Sequence, residues 1–176
     1  MLDMNALFEA FVTRLLRDAA RDTSVTVRSQ RTTSQAIRDE AGRTYTSVRP
    51  DLLLVQGHGP TTRRTPVDAK YKLYTDKKIS FGDLYQGFVY ALSTSADDRP
   101  TAYVLYAADK DVPPRHVTLH RPGPVPAARL TSIAVNVPAI LRSLATGTGR
   151  PLIPDEILSC LHGGIRASEP VTGVPA

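Results

Sequence analysis

Apolar positions recur along the chain in two rhythms, and the change from one to the other separates helices from strands. From Met4, the residues Leu7, Phe8, Phe11, Val12, Leu15, Leu16 and Ala19 return every three or four positions, with Arg14, Arg17, Asp18 and Arg21 largely on the other side. That period predicts an amphipathic helix. Ser24-Val25-Thr26-Val27-Arg28 alternates instead and carries β-branched residues, which predicts a strand, followed by a polar stretch of Arg, Ser, Thr and Gln. Thr44-Tyr45-Thr46 reads as the start of another strand. Pro50 then introduces Asp51-Leu52-Leu53-Leu54-Val55, an unbroken apolar run suited to a strand buried on both faces, and Gly57-His58-Gly59-Pro60 ends it. Thr65 to Tyr71 forms the next strand.

Ser80, with Asp83 three residues later, resembles a capping box opening a second helix through Leu84, Tyr85, Phe88, Val89 and Leu92. Tyr103 to Tyr106, Arg115 to His120 and Leu130 to Val137 read as strands, the last two separated by a Pro/Gly-rich turn at Pro122 to Pro126. Short helices are expected at Pro138 to Leu144 and Asp155 to Leu161. Residues 1–162 are read as one domain, and 163–176, small, polar and Pro-containing, as a loose tail. This order of helix, strands, helix and further strands predicts an α/β fold with one mixed β-sheet flanked by helices.

Composition narrows the function more than the fold. With 176 residues, 41% of them apolar and 22% charged, the chain can bury a full core. Cys160 is the single cysteine, which excludes an internal disulfide, a Cys-rich zinc site and a four-Cys iron–sulfur cluster. No apolar run approaches the ~20 residues of a membrane-spanning helix, and the start lacks a signal-peptide pattern, so a reducing, cytoplasmic setting is expected. The net charge of +5 favours polyanionic partners.

The chemistry concentrates on two strands. Asp51 opens an apolar strand, and Asp68 and Lys70 share one face of the next, because strand side chains alternate. If those strands are neighbours, the two carboxylates converge beside one ammonium group. Such a pair is costly in a semi-buried place unless further positive charge is supplied. Oxygen ligands with room for water suit Mg²⁺, which often works where phosphates react. Lys70 could orient the attacking water or stabilise transition-state charge, and the Ala69 backbone carbonyl faces the correct way to be a further ligand. Glu9 borders the apolar stripe of the first helix, so it could reach the cleft directly or through water. Gln86 and Tyr90 share a face of the second helix, with Asp83 one turn earlier. Gly87 beside them invites a close backbone approach, to a strand or to DNA.

These stretches together resemble the PD-(D/E)xK nuclease superfamily, and within it the C-terminal nuclease domain of the McrC family, the cleavage subunit of McrBC restriction systems. The likeness lies in Leu2-Asp3-Met4-Asn5 with Leu7-Phe8-Glu9, Arg49-Pro50-Asp51, Asp68-Ala69-Lys70-Tyr71-Lys72, and Asp83-Leu84-Tyr85-Gln86 with Tyr90-Ala91. It implies a restriction-endonuclease-like core. It further implies Asp51 and Asp68 as metal ligands, Lys70 as the catalytic lysine, Glu9 as an accessory acid, and Gln86 and Tyr90 lining the site. The implied activity is DNA phosphodiester hydrolysis with Mg²⁺, which Mn²⁺ can replace. DNA, an NTP-driven motor or specificity subunit and a second copy of the chain are the expected partners. The family's N-terminal region, which docks onto the GTP-driven McrB ring, has no counterpart in these residues. A trimmed domain, a stand-alone relative and a component served by another partner are the corresponding expectations.

Arg49, Lys72, Lys77 and Lys78 are candidate DNA contacts, since basic and aromatic residues mix here as in a backbone-tracking groove; a solvated loop has the same composition. His116 and His120 lack a nearby acidic partner and read as surface residues. Cys160 reads as core. A non-catalytic DNA-binding module of the same fold, and a DNA exonuclease or junction resolvase, are the alternatives to an endonuclease.

Overall fold

The computed structural model describes residues 2–29, 33–59, 62–72, 78–95, 99–123, 125–146 and 157. The chain runs α1 (Met4–Ala19), β1 (Val25–Ser29), β2 (Thr33–Arg38), β3 (Thr44–Val48), β4 (Leu52–Gln56), β5 (Arg63–Lys70), α2 (Phe81–Thr94), β6 (Thr101–Ala108), β7 (Arg115–Leu119), β8 (Ala128–Asn136) and α3 (Val137–Ala145). The helix expected at Asp155 to Leu161, apart from Ile157, and the tail at 163–176 lie outside the described residues. Among the described residues, no helix is long and apolar enough to cross a membrane.

Six strands form one mixed sheet in the order β1-β4-β5-β6-β8-β7. β4 pairs antiparallel with β1 and β5, β5 and β8 run parallel to β6, and β7 closes the far edge antiparallel to β8. The apolar run at β4 is buried on both faces, as its unbroken pattern required: Leu52, Leu53, Leu54 and Val55 are all shielded. Pro66 lies inside β5, where a missing N–H would ordinarily break a central strand. Pairing of β5 with β6 begins only at Val67, so the missing donor falls before that ladder starts.

Each face of the sheet carries one long helix. Asp3 caps α1, its side chain accepting from the N–H groups of Asn5 and Ala6 at 3.0 and 3.1 Å. Phe8, Val12, Leu15 and Leu16 then pack on Leu52, Leu54, Val67, Ala69 and Leu105. Leu7, placed in the same stripe by periodicity, is 48% exposed. On the opposite face, Ala91 of α2 joins Ala102, Val104 and Leu130 in a second core, with Leu84 and Phe88 packed against it.

Gly87 is explained by that second core and not by DNA. A Cβ placed there would lie 2.5 Å from a terminal methyl of Leu130, which is fully buried. Gly87→Ala is therefore expected to destabilise the fold: overpacking costs about 1–3 kcal/mol, against about 1 kcal/mol regained in helix propensity. Urea unfolding of the two proteins checks this, with the midpoint expected to fall.

The polar stretch after β1 is where the sequence reading missed an element. It contains β2, which pairs antiparallel with β3 in a separate two-stranded ribbon. Thr44, Tyr45, Thr46 and Ser47 are all exposed. β3 is legible from Thr44 to Thr46, whereas β2, Thr33-Ser34-Gln35-Ala36-Ile37-Arg38, has no apolar alternation in its sequence to betray it.

Candidate active site

The register of β4 on β5 sets the site. Leu52 lies opposite Val67, and continuing one and two steps puts Asp51 opposite Asp68 and Pro50 opposite Ala69. Leu52, Val67 and Ala69 belong to the core beneath α1, so the alternation turns Asp51, Asp68 and Lys70 to the face covered by α2. The two acidic residues, distant in sequence, thus meet on adjoining strands and on one side of the sheet.

The Asp51 carboxylate accepts the Ala69 N–H at 2.8 Å, which fixes it against β5. Pro50, facing Ala69, has no N–H to return to the Ala69 carbonyl. Lys70 Nζ lies 2.8 Å from the Asp68 carboxylate and 3.6 Å from that of Asp83, and it donates to Gln86 Oε1 at 3.1 Å. Gln86 Nε2 donates to the Tyr90 hydroxyl at 2.6 Å, and that hydroxyl donates to the Arg49 carbonyl at 3.0 Å. Helical spacing of four makes the Gln86–Tyr90 link possible, and the link ties α2 to the backbone that enters Asp51.

Burial of Asp68, reinforced by the neighbouring Asp51 charge and hydrogen bond, pushes its pKa up to about 7 despite the opposing pull of Lys70. For Lys70, burial pulls the pKa down, but the Asp68 hydrogen bond and the charges of Asp68, Asp83 and Asp51 outweigh it, and the net shift is upward. Lys70 is thus held as a cation. Burial also raises the Tyr90 pKa, with Gln86 opposing and Asp68 and Asp51 adding to the rise, so Tyr90 stays a neutral donor.

A folded-state pKa above the unfolded value favours the native state at low pH and withdraws that support as pH rises. The metal-free protein is expected to lose stability between about pH 4 and about pH 7, as Asp68 must ionise in place. Thermal midpoints in EDTA across this range, compared with Asp68→Asn, isolate the effect: the Asp68-dependent slope should vanish in the variant.

The donor set fits a hard divalent cation that keeps part of its water shell. Among the described residues, no group of three or more His, Cys, Asp and Glu side chains forms a protein cage. Two carboxylates and the Ala69 carbonyl offer hard oxygen ligands and leave positions for water, as Mg²⁺ favours. Burial, with the Asp51 charge added, disfavours the charged form of Asp68, and a cation bound there would offset both.

Most of the expected site residues fall together. Asp51, Asp68, Ala69, Lys70, Gln86 and Tyr90 form one connected cluster. Glu9 stands on α1, across the sheet, but Phe8 beside it packs against Tyr71, the rings tilted by 55° with centroids 6.1 Å apart. That brings the first half of α1, which carries Glu9, to the end of β5 that carries Lys70, from the other side. Asp83, absent from the expected site set, is a member: it is buried and salt-bridged to Lys70 and, at 3.2 Å, to Lys72. Its signal was the spacing with Gln86 and Tyr90 on one helix face. Ser80 caps α2 through the Asp83 N–H at 3.2 Å, while its hydroxyl donates to the Asp83 carboxylate. The reciprocal carboxylate-to-backbone half of a capping box is replaced by that bond. Arg49 and Lys78 are exposed, and Lys77 lies outside the described residues. His116 Nδ1 lies 3.0 Å from Thr131 Oγ1, away from this cluster.

A family model described as McrBC 5-methylcytosine restriction system component matches residues 1–106, which carry α1, β4, β5, α2 and every residue of the cluster. Among solved structures, the chain is similar to one in a refined half-complex from a tetradecameric assembly of Thermococcus gammatolerans McrB AAA+ hexamers with bound McrC. The TM-score is 0.57 at 18% identity, over 91% of this chain and 33% of that one. That likeness is one of fold, and this chain spans about a third of the other's length. No curated protein matches the sequence.

Proposed function

Because the chain belongs to the McrBC 5-methylcytosine restriction system component family, we propose that it is a metal-dependent endonuclease hydrolysing DNA phosphodiester bonds, the cleavage component of a prokaryotic restriction system. The observation carrying this reading is the meeting of Asp51 and Asp68 beside Lys70 on one sheet face, with Asp68 buried and its charged form disfavoured by burial and by Asp51.

Asp51, Asp68 and the Ala69 carbonyl would hold the ion, with Glu9 contributing through water around the end of β5. A bound Mg²⁺, or Mn²⁺ in its place, supplies Lewis acidity toward the phosphate and a more acidic water. Lys70, kept charged and aimed by Asp68, Asp83 and Gln86, presents an ammonium to the charge that builds on the phosphate oxygens. Gln86 and Tyr90 act on that geometry: Gln86 positions Lys70, and Tyr90 anchors the Arg49 carbonyl and so the turn that delivers Asp51. An NTP-driven motor of the McrB AAA+ kind is the proposed partner, because the similar structure holds such hexamers with bound McrC.

Supercoiled plasmid incubated with Mg²⁺, Mn²⁺ or EDTA, with and without such a motor, tests the assignment. Nicked and linear products are expected with either metal and none with EDTA. Duplex binding without cleavage under any metal, motor included, would assign the chain as a non-catalytic DNA-binding module instead. Shortening from the ends of linear DNA would mark an exonuclease.

A further inference from the structure

We infer that the β2–β3 ribbon is a DNA-holding arm that lies along duplex DNA beside the phosphate to be cut; the inference rests on the nuclease reading above. The ribbon is inserted between β1 and β4, outside the six-stranded sheet. Its β3 strand ends at Val48, which is buried, and Arg49-Pro50 lead directly to Asp51. The ribbon backbone approaches α2, so it stands on the side of the sheet that carries Asp51, Asp68 and Lys70.

Exposure and charge point to what would cover it. A two-stranded ribbon is marginal on its own, and antiparallel strands ordinarily bury one face. Here Thr44, Tyr45, Thr46 and Ser47 face solvent in succession, with Tyr45 78% exposed. Residues 28–49 contain five arginines against one aspartate and one glutamate, a net of +3 out of +5 for the whole chain. No carboxylate occurs from Thr23 to Arg38, where Ser, Thr and Gln abound. Side chains of these kinds bind phosphate oxygens. A protein partner would want apolar anchors, and between Ser29 and Ser47 the only large ones are Ile37 and Tyr45.

Shape agrees with charge. A two-stranded ribbon fits the major groove of B-DNA. At roughly 3.3 Å per residue the five residues of β3 span ~16 Å, about half a helical turn of duplex. The tip is tied rather than loose. The Asp39 N–H donates to the Arg43 carbonyl and the Gly42 N–H to the Asp39 carbonyl, both at 2.9 Å. The Asp39 carboxylate accepts from the Arg43 N–H and Nε, both at 2.8 Å, and Gly42 takes φ +76° to close the turn. Such an exposed ion pair is weak, so Arg43 can exchange Asp39 for phosphate.

The test compares duplex affinity, by fluorescence anisotropy in Ca²⁺ over a range of salt, for the wild-type chain, R38A/R43A and R14A/R21A. The last pair removes two exposed arginines, one on α1 and one just past its end, on the opposite side of the sheet, where both bind Asp18. R38A/R43A should bind about tenfold more weakly and flatten the log-affinity against log-salt slope by about 2, one unit per lost phosphate contact. R38K/R43K should restore the slope, and hydrolysis of bis(p-nitrophenyl) phosphate, too small to reach the ribbon, should be unchanged. Unaltered affinity and slope in R38A/R43A, or an equal loss in R14A/R21A, would overturn the inference while leaving the nuclease reading intact. A wild-type chain that neither bound duplex nor hydrolysed the small diester would overturn both.

Discussion

Asp68→Ala is expected to reduce plasmid nicking on the order of 10³-fold or more, because it removes a carboxylate proposed to hold the ion and the group that aims Lys70. The fold should survive. Burial of Asp68, with the Asp51 charge added and Lys70 opposing, pushes its pKa to about 7, so in the metal-free protein at neutral pH the carboxylate strains the site. Removing it relieves a repulsion with Asp51 and leaves Lys70 its contacts with Asp83 and Gln86. Lost cleavage with a retained thermal midpoint is the expected pair of results, measured by gel assay and calorimetry. Cleavage equal to wild type would end the assignment of Asp68 to catalysis.

Lys70→Met should lower turnover on the order of 10²-fold, the usual loss when one charge facing a transition state is deleted. It should also change the pH dependence in a defined direction. Lys70 holds the Asp68 pKa below where burial and Asp51 alone would put it. Without the ammonium, Asp68 takes up a proton more readily, and metal and proton compete for the same oxygens. Metal-dependent cleavage should therefore rise with pH in both proteins, with the rise displaced to higher pH in Lys70→Met. A variant with reduced rate but the wild-type pH profile would show that Lys70 acts on the phosphate and not on Asp68.

The sequence disclosed the strands that matter because burial on both faces leaves an unmistakable apolar run, and Asp51 interrupts it at the edge. Lys70 and Asp68 were legible together because strand alternation is strict. Gln86 and Tyr90 were legible because helical spacing is. Asp83 escaped, although it shares that spacing: a carboxylate three residues after a serine reads first as a cap, and only the fold brings Lys70 and Lys72 to it. The ion pair of Lys72 with Asp83 was illegible for the same reason, since the two come from different elements. Of the ribbon, β3 was legible at Thr44 to Thr46, and β2 escaped because Thr33-Ser34-Gln35-Ala36-Ile37-Arg38 has the composition of a loop and no apolar alternation. Gly87 announced a close approach, and only packing could show Leu130 as the neighbour.

Anomalous diffraction from crystals grown in Mn²⁺ tests the metal site most directly. One or two peaks are predicted at about 2.0–2.4 Å from oxygens of Asp51, Asp68 and the Ala69 carbonyl. Density at full Mn²⁺ loading that lies elsewhere, or none at all, would contradict the claim that these two carboxylates exist to hold a cation against DNA.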